Sequence, residues 1–205
     1  MSQFSRRSVL AGAGALAATG ASAQTPAPPP LPRVALKTAA GVIVIELAAD
    51  RAPITSANFL RYVDARRFDG ANFYRAMKLL ATPLTGVIQG GANNDPARLF
   101  PPIAHESTQT TGLTHRDGAV SMARYAPGTA TGDFFICLGN LSSLDAAPGQ
   151  PGDNAGFAVF GHVVEGMDVA RAILLSPVSP TKGADFGMKG QMLEPEVTIL
   201  SAVRL

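Results

Sequence analysis

The chain has 205 residues, 46% of them apolar, with 17 basic and 15 acidic side chains and one cysteine. Phosphate binding needs clustered positive charge, which a nearly neutral chain lacks, and a lone cysteine excludes an internal disulfide framework. The length allows one or two domains with enough apolar surface to build a core unaided.

The N-terminus reads as an address. In "SRRSVLAGAGALAATGASAQ" the pair Arg6 and Arg7 precedes an apolar run from Val9 to Ala18 and a small-x-small site, Ala21 to Ala23. That order is a secretory signal peptide, and the twin arginine resembles the bacterial Tat address. The run falls short of the roughly 18–20 residues of a spanning helix, and no second apolar segment is long enough to span a membrane. Residues 1–23 are therefore expected to be cleaved on export to the periplasm. Loss of Arg6 and Arg7 takes the basic count from 17 to 15, equal to the 15 acidic groups, so the formal charge falls from +2 to zero.

Residues 24–32 then form a proline-rich spacer, "TPAPPPLP", and residues 33–205 a single domain. "RVALKTAAGVIVIEL" predicts a hairpin of two strands around an Ala-Gly turn. "DRAPITSANFLRYVDARRF" predicts a helix opened by Pro53, with Ile54, Ala57, Leu60 and Val63 on its buried face and Arg66 and Arg67 as surface residues at its end. Short strands follow near Ala71–Met77, Gly86–Gln89, Ala119–Met122, Phe134–Leu138, Ala158–Val163 and Val197–Arg204, with a second helix over Met167–Leu175. Many short strands with two helices and no βαβ alternation predict a mainly β domain, closed or sandwiched.

Familiar chemistry is scarce. His105, His115 and His162 are scattered without metal-binding spacing, Ser121 lies in no nucleophile elbow, and Cys137 in "FFICL" reads as a buried inert thiol. Activity must then proceed without nucleophile, metal or cofactor. Three stretches stand out: "FDGANFYRAM" with Arg75, "VIQGGAN" with Gln89, and "GAVSMARYAPGTATGDFFICLGN" with Phe135. An arginine among aromatics is costly to bury unless its five donors find partners.

Taken in order, Phe-Asp-Gly-x-x-Phe-x-Arg, Gln-Gly-Gly, Val-Ser-Met-Ala, Phe-Phe-Ile and "FAVFGHVVEGMDV" resemble the cyclophilin-type peptidyl-prolyl isomerases, from about Val34 to Leu205. The resemblance implies a closed eight-stranded antiparallel β-barrel capped by a helix at each end. It implies catalysis of rotation about X-Pro bonds, with Arg75, Gln89 and Phe135 at active-site positions. It also places Phe73, Tyr74, Val87, Met122, Ala123, Arg124, Asp133, Leu144 and Phe157 at the bound peptide, with no metal and no cofactor. The expected partners are proline-containing segments of exported proteins, with no nucleic acid, and the expected state is a monomer. In a regular strand Arg75 shares a face with Phe73 and Met77, and Tyr74 points the other way.

Some residues depart from the family pattern. "AMKLLATPLTG" carries an insertion, Gly86 stands where a phenylalanine wall is common, and Leu84 is a candidate to refill that space. Tyr74 replaces a histidine and Asp133 a glutamine; a close Asp133–Arg75 pair would compete with substrate. Arg124 occupies a position that is often asparagine, and Ser143 one that is tryptophan in some relatives, which implies weak sensitivity to cyclosporin. An alternative function is a proline-peptide binding module or chaperone with little turnover.

Overall fold

Alternation along the strands closes this chain on itself. Val34 and Leu36 on the first strand and Ile43, Ile45 and Leu47 on the second are fully buried, every second residue turning to one interior. The computed structural model describes Met1, residues 29–79 and residues 82–205. Apart from Met1, the expected signal segment and the start of the spacer lie outside the described residues, as do the tip of the inserted hairpin and the Leu84 side chain.

The elements are β1 (Arg33–Thr38), β2 (Gly41–Leu47), α1 (Pro53–Asp64), β3 (Asn72–Leu79), β4 (Thr82–Gly91), α2 (Thr108–Thr111), β5 (Ala119–Met122), β6 (Asp133–Leu138), β7 (Ala158–Glu165), α3 (Met167–Leu175) and β8 (Met192–Arg204). The strands form a closed barrel in the order β1-β2-β7-β5-β6-β4-β3-β8, every pairing antiparallel. Among the described residues, closure leaves no sheet edge open to another chain. The insertion lengthens the β3–β4 hairpin, extending its pairing to Lys78 opposite Gly86 and Leu79 opposite Thr82.

Helix α1 packs on β7 and β8, and α3 on β2, β3 and β4. Between α1 and the sheet, Phe59 contacts Phe68, Phe134 and Phe160 with ring centroids 5.1–5.3 Å apart. The apolar spacing of α1 gives half of its buried face: Leu60 and Val63 are buried as expected, but Ile54 is 45% exposed and Ala57 faces solvent, while Thr55, Ser56, Asn58, Phe59 and Tyr62 turn inward. The inward polar groups are satisfied, Asn58 donating to the Thr131 carbonyl at 2.6 Å and Ser56 to the Phe160 carbonyl at 3.4 Å. The helix has no side-chain cap of its own at Ala52. Glu106, from a distant loop, accepts the Ile54 and Thr55 backbone N–H groups at 3.1 and 2.7 Å, where a carboxylate also complements the helix dipole. Arg67 is no idle surface residue: it donates to the Ala97 carbonyl and its guanidinium lies 5.0 Å from the Phe100 ring centroid.

Among the described residues, no helix is long and apolar enough to cross a membrane.

Candidate active site

Residues paired across neighbouring strands share one face of a sheet. Arg75 on β3 pairs with Gln89 on β4, Gln89 with Phe135 on β6, and Phe135 with Ser121 on β5. Three side chains far apart in sequence thus stand in one row across the outer face of the barrel. Strands sit about 4.8 Å apart, so such a row is a continuous surface.

A bulge sets its orientation. Phe73 pairs with Gly90 and Arg75 with Gln89, which leaves Tyr74 as an extra residue on β3. The expected alternation therefore breaks. Phe73 turns into the barrel, fully buried with its ring centroid 5.7 Å from that of Phe134. Tyr74 stays with Arg75, and its hydroxyl accepts the Gln89 amide N–H at 2.8 Å. The Gln89 amide oxygen accepts Arg75 Nη1–H at 3.0 Å. The Tyr74 hydroxyl fixes which way the Gln89 amide points. Burial raises the Tyr74 pKa, so the phenol stays protonated. Burial also lowers the Arg75 pKa from its usual value, yet a guanidinium stays charged at any physiological pH.

Beside the polar end of the row lies an apolar one. Phe135, Val87, Leu141 and Val159 form a buried cluster outside the barrel interior, flanked by Met77, Ala123, Leu144 and Phe157. Phe157 meets Phe135 edge-on, with centroids 5.4 Å apart. The wall expected at Gly86 cannot stand there: a Cβ on this residue, at φ +157°, would collide with the Met77 carbonyl. Met77, on the same strand face as Arg75, borders the cluster instead.

Several expected peptide contacts have other work. Met122 is 1% exposed and belongs to the barrel interior, because β5 turns it inward with Val120. The Arg124 side chain is 3% exposed and bound bidentately to Asp153, with a further bond to the Gly156 carbonyl at 3.0 Å. Its guanidinium lies 4.9 Å from the Phe157 ring centroid, so it holds the 153–157 segment, and Phe157 with it, beside the cluster. Asp133 makes no ion pair with Arg75 among the described residues; it is 7% exposed and accepts the Asn93 backbone N–H at 2.7 Å. The feared competition for the guanidinium is absent because Asp133 stands opposite Gly91, two residues beyond Gln89.

Two residues were hidden from motif reading. Gln191, just before β8, accepts from Arg75 through its amide oxygen, at 2.9 Å from Nε and 2.6 Å from Nη2. His115 stacks on Phe135, with centroids 5.9 Å apart and planes 10° off parallel. Its Nδ1 lies 2.6 Å from Asp145 Oδ1 and its Nε2 3.0 Å from Ser121 Oγ. With Nδ1–H given to Asp145, Nε2 accepts from the Ser121 hydroxyl. These are the contacts of a hydrolase triad, but Ser121 is fully buried and no substrate carbonyl can reach it. The trio is a strut behind Phe135. No sequence spacing joins His115 to Asp145 and Ser121; only the barrel does. Cys137 is a buried member of the cluster, its thiol pushed up to about 12 by burial. A groove of about 530 Å³ between α1 and the end of β8 is lined by Ala57, Leu60, Arg61, Asp64, Ala65 and Arg204 and holds none of the row.

A family model described as cyclophilin type peptidyl-prolyl cis-trans isomerase/CLD matches residues 33–203. A peptidyl-prolyl cis-trans isomerase of Acinetobacter baylyi is 34% identical over 172 residues, 82% of this chain and 82% of that one. Peptidyl-prolyl cis-trans isomerase B of Escherichia coli is 32% identical over 176 residues, covering 83% and 97%. Among solved structures, a Cryptosporidium parvum cyclophilin superposes with a TM-score of 0.65 at 20% identity, over 85% of this chain and 98% of that one, a likeness of fold. The chain belongs to the cyclophilin-type peptidyl-prolyl cis-trans isomerases, and its enzymatic class is that of the family.

Proposed function

We propose that the protein speeds rotation about X-Pro bonds in exported proteins, with the Arg75 guanidinium as donor to the prolyl nitrogen. The observation that carries this reading is the single row Arg75, Gln89, Phe135, in which a held cation borders an apolar surface. Amide resonance sets a barrier of about 18–20 kcal/mol to rotation. As the bond twists, resonance is lost and the prolyl nitrogen becomes pyramidal, exposing a lone pair that neither planar isomer offers. A donor fixed toward that lone pair binds the twisted state better than either ground state, which lowers the barrier. Phe135, with Val87, Leu144 and Phe157, supplies the apolar bed for the proline ring. Gln89 orients the guanidinium and presents the rest of its amide to the peptide backbone. A solved relative of Cryptosporidium parvum was crystallised in the presence of the dipeptide Ala-Pro, a ligand of the size this bed suits.

Export rests on residues 1–23: the arginine pair, the apolar run and the Ala-Ser-Ala site. Outside the cytoplasm, slow X-Pro isomerisation limits folding just as it does within. Fractionation of cells expressing the whole chain, with N-terminal sequencing of the product, tests this part. A periplasmic product beginning at Gln24 supports it, and a cytoplasmic product retaining Arg6 and Arg7 contradicts it.

A further inference from the structure

We propose that Gln191 is a positioning residue of the isomerase, which holds the Arg75 guanidinium by the edge opposite Gln89 without neutralising it. The inference rests on Arg75 as the catalytic donor. An arginine side chain has many rotamers, and a donor that acts only on a twisted amide must already be in place when the twist occurs. Gln89 alone touches Nη1. Gln191 takes Nε–H at 2.9 Å and Nη2–H at 2.6 Å on one amide oxygen, so the guanidinium is gripped from both sides.

The grip is built into the fold. The Gln191 backbone carbonyl accepts the Ala76 N–H at 2.8 Å, and its own N–H donates to the Met188 carbonyl at 3.0 Å. The next residue, Met192, pairs with Arg75 as β8 begins. The residue is thereby tied to β3 one position from the arginine it holds.

The chemistry of the acceptors matters as much as their positions. Both are neutral amides. A carboxylate at either place would pair with the guanidinium and weaken its pull on a lone pair. Of the five N–H groups, one on Nε and one on Nη2 go to Gln191 and one on Nη1 to Gln89. A second on Nη2 faces the Met77 sulfur at 3.6 Å, a weak acceptor, and the last, on Nη1, has no partner among the described residues. The donors that remain for substrate therefore lie at the Nη end, beside Met77 and the apolar cluster.

The test compares the full wild-type chain with Gln191→Met, which keeps length and volume but removes the acceptor, and with Arg75→Ala. Turnover of a Xaa-Pro peptide is followed together with the Arg75 Nε–H NMR resonance. Gln191→Met is expected to lower kcat about tenfold with KM within about twofold, and to expose the Nε–H to rapid solvent exchange. Wild-type kcat and a still-protected Nε–H in Gln191→Met would overturn the inference. If Arg75→Ala loses turnover in that case, the reading of Arg75 stands and only the role of Gln191 falls. Wild-type turnover in Arg75→Ala would remove both.

Discussion

The His115 imidazole lies flat against the Phe135 ring, 5.9 Å between centroids, and is itself held between Asp145 and Ser121. Burial pushes the His115 pKa below 6.5, outweighing the opposing hydrogen bond that the imidazole donates to Asp145. The unfolded chain takes up this proton near pH 6.5 and the folded chain only at lower pH. Stability from neutral His115 is thus complete above about pH 6.5 and falls as pH drops from there through the folded pKa. Urea midpoints at about pH 7.5 and about pH 5.5 should fall further for wild type than for His115→Asn. Equal falls would show that His115 titrates alike in both states.

Removing the Tyr74 hydroxyl takes away the partner that orients Gln89. Tyr74→Phe should cost about 1 kcal/mol of stability and lower kcat several-fold, since the freed amide can flip and turn its N–H groups toward Arg75. Peptide turnover with denaturant titration checks both. An unchanged kcat would mean that Gln89 is held by its other contacts.

Glu106 acts on stability alone. Glu106→Ala leaves the first turn of α1 without its acceptor and should cost about 1–2 kcal/mol, with kcat/KM unchanged. The site row is on β3, β4 and β6, and α1 packs on β7 and β8. A loss of turnover in folded Glu106→Ala would contradict this separation.

Gly86 is required by the backbone. Gly86→Ala drives a Cβ into the Met77 carbonyl and should cost about 2–3 kcal/mol, read from the urea midpoint. A wild-type midpoint would show that the extended hairpin can move aside.

The barrel was legible from its strands because short apolar runs stand between Gly, Pro and Asn punctuation: Ala119–Met122 appears as expected, and Phe134–Leu138 gains only Asp133. The start of β8 was not, since the strand begins at Met192, among Glu and Pro residues that carry no strand pattern, whereas its end at Arg204 falls where expected. The inward face of α1 is legible only in part: Leu60 and Val63 are buried as their spacing implies, but Thr55, Ser56 and Asn58 look like solvent residues until their distant partners are known. The row Arg75, Gln89, Phe135 could be named from motifs, but the bulge at Tyr74 could not. One extra residue decides that Phe73 is core and Tyr74 is site. Gln191 and the His115 strut depend on contacts across 116 and 30 residues of chain, which no local spacing records.

The most direct measurement is cis-to-trans relaxation of a Xaa-Pro peptide with wild type, Arg75→Lys and Arg75→Ala. Lysine keeps the charge but cannot be gripped by Gln89 and Gln191 along two edges of a plane. If an oriented guanidinium drives rotation, wild type accelerates relaxation, Arg75→Ala falls by about 100-fold or more, and Arg75→Lys recovers little of the loss. Arg75→Ala turning over like wild type would contradict the central claim and move the catalytic donor elsewhere on the barrel.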